Sequence, residues 1–238
     1  MYEGNKLGLS REDAVAILNK RFPYYVALNP ELQQVFMERL LHFMRSKVFL
    51  VRTNDVFREM FVLISASAVQ LTFGLKRYML PHYQFIQVYK EEYFAASDDL
   101  RVLAGHVQND TITLAWNHFF EGYQLPENGV NVGLHEMAHA LYFQLVVALK
   151  MFDALAFKKD FEHLELTTAK YVSLNNCRFN LYKKNAFKNT QEFWAESVEL
   201  FFEKPAELKR CYEEVFEEIS GLLKQNPLQK DEPVVKEA

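Results

Sequence analysis

Apolar positions recur every three to four residues through the first 75 residues and again from about residue 130, while the stretch between is rich in aromatic and β-branched positions. This pattern predicts helices, then a small sheet, then helices, an α+β arrangement. Ser10 with Asp13 three residues on has capping-box spacing, ahead of Val15, Ile17 and Leu18, and Phe22-Pro23 closes that first helix. Asn29-Pro30 opens a second helix: Asn caps, and Pro suits a first turn whose N–H has no partner. Leu32, Val35, Phe36, Leu40 and Phe43 then follow at helical spacing. A short β-prone stretch, Val48–Val51, precedes a largely apolar helix that runs to about Phe73 and stops near Gly74.

Residues 83–89 read as a strand, and residues 102–107 and 111–116 as a hairpin around Asn109-Asp110. A loop is expected over 122–129, then one long helix over 130–151, a charged and less periodic stretch over 153–189, a helix over 192–203 stopped by Pro205, and a last helix from 206 to about 224. The expected organisation is one domain, 1–224, with a helical part at 10–75, a sheet at 83–116 and a helical part at 130–224, followed by a flexible polar tail at 225–238.

Composition narrows the function classes. Half of the 238 residues are apolar, with 21 Phe and 12 Tyr, which supports a substantial core. The formal net charge of −4 carries no basic footprint for nucleic acid. The longest uncharged run, residues 60–75, holds Ser65, Ser67, Gln70 and Thr72 and is shorter than the roughly 20 residues of a membrane span. Cys177 and Cys211 lie outside any ligand spacing and read as reduced thiols. With no apolar leader at the start, the expectation is a cytoplasmic protein.

The candidate chemistry lies at His135-Glu136-Met137-Ala138-His139, an HExxH string. Residues four apart share a helix face, so both imidazoles can reach one Zn²⁺ while Glu136 activates water as general base. The string arises by accident in roughly 1–2 % of chains of this composition. Its apolar surroundings, with Val132, Leu134, Leu141 and Phe143, make two buried His and one Glu costly unless a metal satisfies them. The metzincin extension fails, because Tyr142 and Leu145 stand at its Gly and His positions, so the third ligand is expected to be a carboxylate on a later helix. Glu192 and Glu196 share a face: one can ligate while the other braces a histidine. Glu199 and Glu203 read as solvated acids.

The string Glu192-Phe-Trp-Ala-Glu196-Ser-Val-Glu199-Leu-Phe-Phe-Glu203-Lys-Pro205 resembles the signature of the MtfA family of zincin-like peptidases. Arg21-Phe-Pro-Tyr-Tyr with Leu28, Phe43 to Phe49 with Lys47, the segment from Ser65 to Leu71, and the residues around HExxH agree with it in the family's order, from about residue 20 to 222. The catalytic domain of anthrax lethal factor is similar in the same two motifs. The resemblance implies a zincin-like fold, a small mixed sheet packed with helices, HExxH on the active-site helix, and an edge strand that pairs with an extended substrate. It implies Zn²⁺ held by His135, His139 and Glu192, with Glu136 as general base, and a peptide or protein substrate cut by aminopeptidase-like action. It also implies a partner, since the best-known member binds the transcriptional repressor Mlc.

Two departures from the family pattern bear on the chemistry. Tyr142 replaces an Asp three residues after the second His, a supporting role that Glu196 could take over. Asn185 replaces a Tyr placed for oxyanion stabilisation; Tyr182, close in sequence, is the first substitute, and otherwise the role falls to His106, His163 or zinc itself. These departures motivate an alternative, a regulatory module that sequesters a transcriptional repressor with a weak or vestigial zinc site. A structural zinc site is a third reading, and it would need a fourth protein ligand.

Overall fold

A computed structural model describes residues 1–94, 102–126, 128–148, 152–173 and 181–229. The elements alternate between short strands and helices: β1 (Tyr2–Glu3), α1 (Arg11–Arg21), α2 (Pro23–Ala27), α3 (Pro30–Arg45), β2 (Val48–Val51), α4 (Arg58–Thr72), β3 (Phe85–Tyr89), β4 (Tyr93–Phe94), β5 (Val102–Leu103), β6 (Gly105–Gln108) and β7 (Thr111–Ala115). The rest is helical: α5 (Trp116–Gln124), α6 (Val132–Tyr142), α7 (Phe152–Ser173), α8 (Thr190–Glu203), α9 (Pro205–Cys211) and α10 (Glu213–Leu223).

The local rules set the early elements. Ser10 Oγ accepts the Asp13 N–H and the Asp13 carboxylate accepts the Ser10 N–H, each at 3.1 Å, which closes the capping box of α1. Asn29 Oδ1 accepts the Leu32 N–H at 2.9 Å, and Pro30 takes the first turn of α3. α4 is buried all round from Met60 to Thr72, as befits a helix that is apolar on every face. Two of its hydroxyls turn back on their own helix: Ser67 donates to the Ile64 carbonyl at 3.0 Å and Thr72 to the Ala68 carbonyl at 2.8 Å. α4 is the central post against which α1, α3 and α6 pack.

Five strands form a mixed sheet in the order β1-β2-β3-β7-β6. β2, β3 and β7 run parallel, and the two edge strands run antiparallel to their neighbours. Phe49, Ile86, Val88, Ile112 and Leu114 are buried on one face of the sheet, and the strand register stacks them there. β4 and β5 form a separate two-stranded ribbon. β6 and β7 join through a two-residue turn in which Asn109 adopts φ 54°, a left-handed value that Asn tolerates.

The structure departs from the pattern reading in several places. Trp116 leaves the expected hairpin strand to begin α5, whose Trp116, Phe119, Phe120 and Tyr123 lie at i, i+3, i+4 and i+7 with their rings in contact. The helix expected over 130–151 is α-helical only to Tyr142 and widens into a π-helix over Phe143–Ala148; residues 149–151 lie outside the described set. The charged stretch contains the 22-residue α7. The expected final helix is two, because the chain turns at Tyr212. The start of the expected tail is held: Gln225 donates to the carbonyls of Gln70 and Leu71, both at 3.0 Å, and accepts from the Tyr24 hydroxyl at 2.7 Å. Residues 230–238 of that tail, and Cys177, lie outside the described residues; Cys211 is a free thiol.

Candidate active site

The site begins at Asn131, which caps α6 by accepting the Leu134 N–H at 3.0 Å. One turn in, His135 and His139 come to the same side of α6 with their Nε2 atoms 3.1 Å apart. α8 meets α6 side by side, and the Trp194 indole N–H ties them by donating to the Ala138 carbonyl at 2.9 Å. Asn189 caps α8 by accepting the Glu192 N–H at 2.8 Å, which sets Glu192 in the first turn, facing the two histidines. Its Oε2 lies 3.6 Å from His135 Nε2 and its Oε1 3.7 Å from His139 Nε2.

One ligating atom from each of His135, His139 and Glu192 lies within 4.8 Å of the others. The donor set tests well against zinc. Ligand atoms at about 2.0–2.1 Å from zinc in a tetrahedron stand about 3.4 Å from one another. The two Nε2 atoms, 3.1 Å apart, and the distances from each to its nearer Glu192 oxygen, 3.6 Å to Oε2 and 3.7 Å to Oε1, bracket that spacing.

The support for these groups differs from the sequence reading. Glu199, read as a solvated acid, is only 3 % exposed. Its Oε1 stands 2.6 Å from His135 Nδ1, and its Oε2 accepts the Asn131 N–H at 2.5 Å. A carboxylate accepts, so Nδ1 carries a hydrogen, and in the neutral ring the Nε2 lone pair faces the cluster. Glu203, also read as solvated, accepts from Asn131 Nδ2 at 3.1 Å. Glu196, the expected brace, is buried but accepts the Lys183 backbone N–H instead. Tyr142 packs its ring on Phe161 at 4.7 Å.

Two of the three expected oxyanion donors are used elsewhere. The Tyr182 hydroxyl is buried and paired with Ser197 Oγ at 2.7 Å, and its ring stacks on Phe193. Ser197 lies five residues beyond Glu192, about 140° around an ideal helix, so this pair sits on another side of α8. The His163 side chain is 80 % exposed and lies 3.6 Å from Glu218. His106 is half-buried on β6, with its Nδ1 2.6 Å from the Tyr93 hydroxyl.

Glu136 points under β6. It is 6 % exposed and its Oε2 has no hydrogen-bond partner. Above it, the β6 edge is unpaired among the described residues. The Ala115 N–H donates to the Ala104 carbonyl at 2.7 Å, and the antiparallel register alternates from there. The backbone groups of His106 and Gln108 therefore turn to β7, and those of Gly105 and Val107 turn outward.

The electrostatics are those of a pocket that favours one added positive charge. Burial alone would push His135 down, but hydrogen bonds to Glu192 and Glu199 and the charges of Glu199 and Glu136 carry it well above the usual imidazole value. Burial, then the neighbouring His135, push His139 down to about 4. The hydrogen bond from His135 holds Glu192 below the usual carboxylate range. Burial pushes Glu136 up to about 7, opposed by His135 and reinforced by Glu192 and Glu199.

Sequence reasoning missed Glu199, Asn131 and Gly105. The signal for Glu199 was present: it lies two turns beyond Glu192, on the same face of α8.

The family model of glucose-regulated metallo-peptidase M90 matches residues 8–224. An uncharacterized protein of Synechocystis sp., slr2042, is 25 % identical over 221 residues, covering 85 % of this chain and 80 % of the relative.

Proposed function

This chain belongs to the glucose-regulated metallo-peptidase M90 family, and on that premise we propose that it is a zinc-dependent peptidase of zincin-like fold, a single domain over 1–224. The observation that carries this reading is the convergence of His135, His139 and Glu192 on one point beside a buried, unpartnered Glu136 oxygen. His135 and His139 would hold the ion through Nε2, and Glu192 through its carboxylate. Zinc bound there supplies the Lewis acidity that polarises a peptide carbonyl and acidifies water.

The remaining steps belong to the chain. An extended peptide pairs with the outward backbone groups of Gly105 and Val107, which lays its scissile bond over Glu136. Glu136 takes the proton of the attacking water at its carboxylate and passes it to the departing amine. Glu199 keeps the His135 Nδ1–H engaged, so that Nε2 is the nitrogen turned toward the ion. The cleft beneath β6 excludes bulk water from the Glu136 carboxylate, 6 % exposed as it stands.

The alternative is a regulatory module that binds a transcriptional regulator without catalysis. Asn185 at the family's Tyr position, and the pairing of the Tyr182 hydroxyl with Ser197, support it.

One experiment separates these readings. Protein purified without chelators or nickel is assayed for metal and for hydrolysis of quenched fluorescent peptides, with free and with acetylated N-termini, beside Glu136→Gln. About one zinc per chain in both proteins, with hydrolysis in the wild type and a loss of about 10²–10⁴-fold in Glu136→Gln, is the expected result. Equal turnover in the two proteins would remove Glu136 as the base. Zinc binding without turnover of any peptide would favour the regulatory module.

A further inference from the structure

Gly105 sits on β6 directly over the Glu136 side chain. A Cβ built on it would lie 2.6 Å from Glu136 Cγ, 2.6 Å from Oε1 and 2.8 Å from Cδ. Real Cβ atoms do not come that close to other heavy atoms, so something must shift if a side chain is added. Backbone conformation does not demand a glycine here: the glycines with positive φ are Gly8 and Gly129. At Gly105 the requirement is space, and the space is taken by one side chain.

We propose that Gly105 is a positioning residue for Glu136: its missing side chain is the slot that holds the carboxylate under the free edge of the sheet. The inference rests on the reading of Glu136 as general base and adds how that base is placed. The same residue turns its own N–H and carbonyl outward at the edge, where the substrate backbone would pair. One glycine therefore registers substrate and base against each other: its backbone faces the peptide and its empty Cβ position faces the carboxylate. A methyl group here would point at Glu136 and away from the edge, so it would move the base while leaving the edge hydrogen bonds in place. The three heavy atoms nearest that position all belong to Glu136. A base displaced by about 1 Å costs on the order of 100-fold in rate.

The test is Gly105→Ala in the full chain, alone and combined with Glu136→Ala, which removes the atoms that the new methyl would meet. Zinc affinity is read by competition with a chromophoric chelator, kcat and KM on the quenched peptides, and the thermal unfolding midpoint on all four proteins without metal. In the single variant, kcat falls about 100-fold or more while KM and zinc affinity stay within about threefold of wild type. Overpacking lowers the midpoint by about 2–12 °C when Glu136 is present, and that penalty disappears in the Glu136→Ala background. Turnover within threefold of wild type, or an equal midpoint penalty in both backgrounds, overturns the proposal. If Glu136 is not the base, the unfolding cycle still reports on the slot, so the two ideas fail separately.

Discussion

Replacing Glu199 by Gln changes one atom's chemistry and should alter the metal site through a histidine tautomer. Glu199 faces two donors, His135 Nδ1 at 2.6 Å and the Asn131 N–H at 2.5 Å. A Gln there has one acceptor oxygen and one NH₂. The Asn131 amide can only donate, so the oxygen must turn to it and the NH₂ must face His135. Nδ1 then has to accept, and the imidazole proton moves to Nε2, the atom that lies 3.1 Å from His139 Nε2 and 3.6 Å from Glu192. Binding an ion at Nε2 must expel that proton and oppose an NH₂ to Nδ1–H. The loss is that of a charge-assisted hydrogen bond, about 1.5–3 kcal/mol. It corresponds to a fall in zinc affinity of about 10–100-fold, the range seen when partners of ligating histidines are removed.

The assay is competition for zinc between metal-free protein and a chromophoric chelator at pH 7.5, with circular dichroism to confirm that the variant is folded. Glu196→Gln is the control, since Glu196 accepts from Lys183 and not from a histidine, and it should bind zinc within about threefold of wild type. A folded Glu199→Gln protein with wild-type affinity would refute the tautomer argument. So would an equal loss in the control, which would mean that negative charge near α8, and not this hydrogen bond, sets the affinity.

Two further outcomes test the frame around the site. Lys47 is 3 % exposed, donates to the Leu80 and Tyr83 carbonyls at 2.7 Å each, and is pushed down by burial to about 8. The unfolded chain then binds this proton more tightly than the native one, so native stability should rise between about pH 8 and 10.5 relative to Lys47→Met, by up to about 3 kcal/mol; parallel urea-unfolding curves for the two proteins across that window would contradict the assignment. Trp194 is fully buried and bonded to Ala138, so Trp194→Ala should cost about 3–5 kcal/mol in the same assay and loosen α8 from α6, and a cost below about 1 kcal/mol would show that this seam does not hold the helices together.

Much of this protein was legible along the chain, because the relevant physics is local. Caps at Ser10 and Asn29, the apolar run of α4, the Asn109-Asp110 turn and the one-turn spacing of His135 and His139 each depend on residues within a few positions of one another. α5 was also locally encoded, by its i, i+3, i+4, i+7 aromatic set, but the β-prone residues before it drew Trp116 into the strand reading.

What the sequence could not decide was the partner of each group across the fold. Four acids on α8, Glu192, Glu196, Glu199 and Glu203, spaced four, three and four residues apart, look alike in sequence. Which one faces the histidines, which meets a loop amide and which orients His135 depends on how α8 is rotated against α6, and packing at Trp194 sets that rotation. Gly105 is the sharper case. Nothing near it in the chain requires a glycine; the need comes from Glu136, 31 positions away, brought beneath it when the edge strand crosses the helix. Periodicity and caps determined which helices and strands form, because they act through backbone and near neighbours. Tertiary structure alone decided the supporting carboxylate, the tautomer and the slot, because those are contacts between segments that only packing brings together.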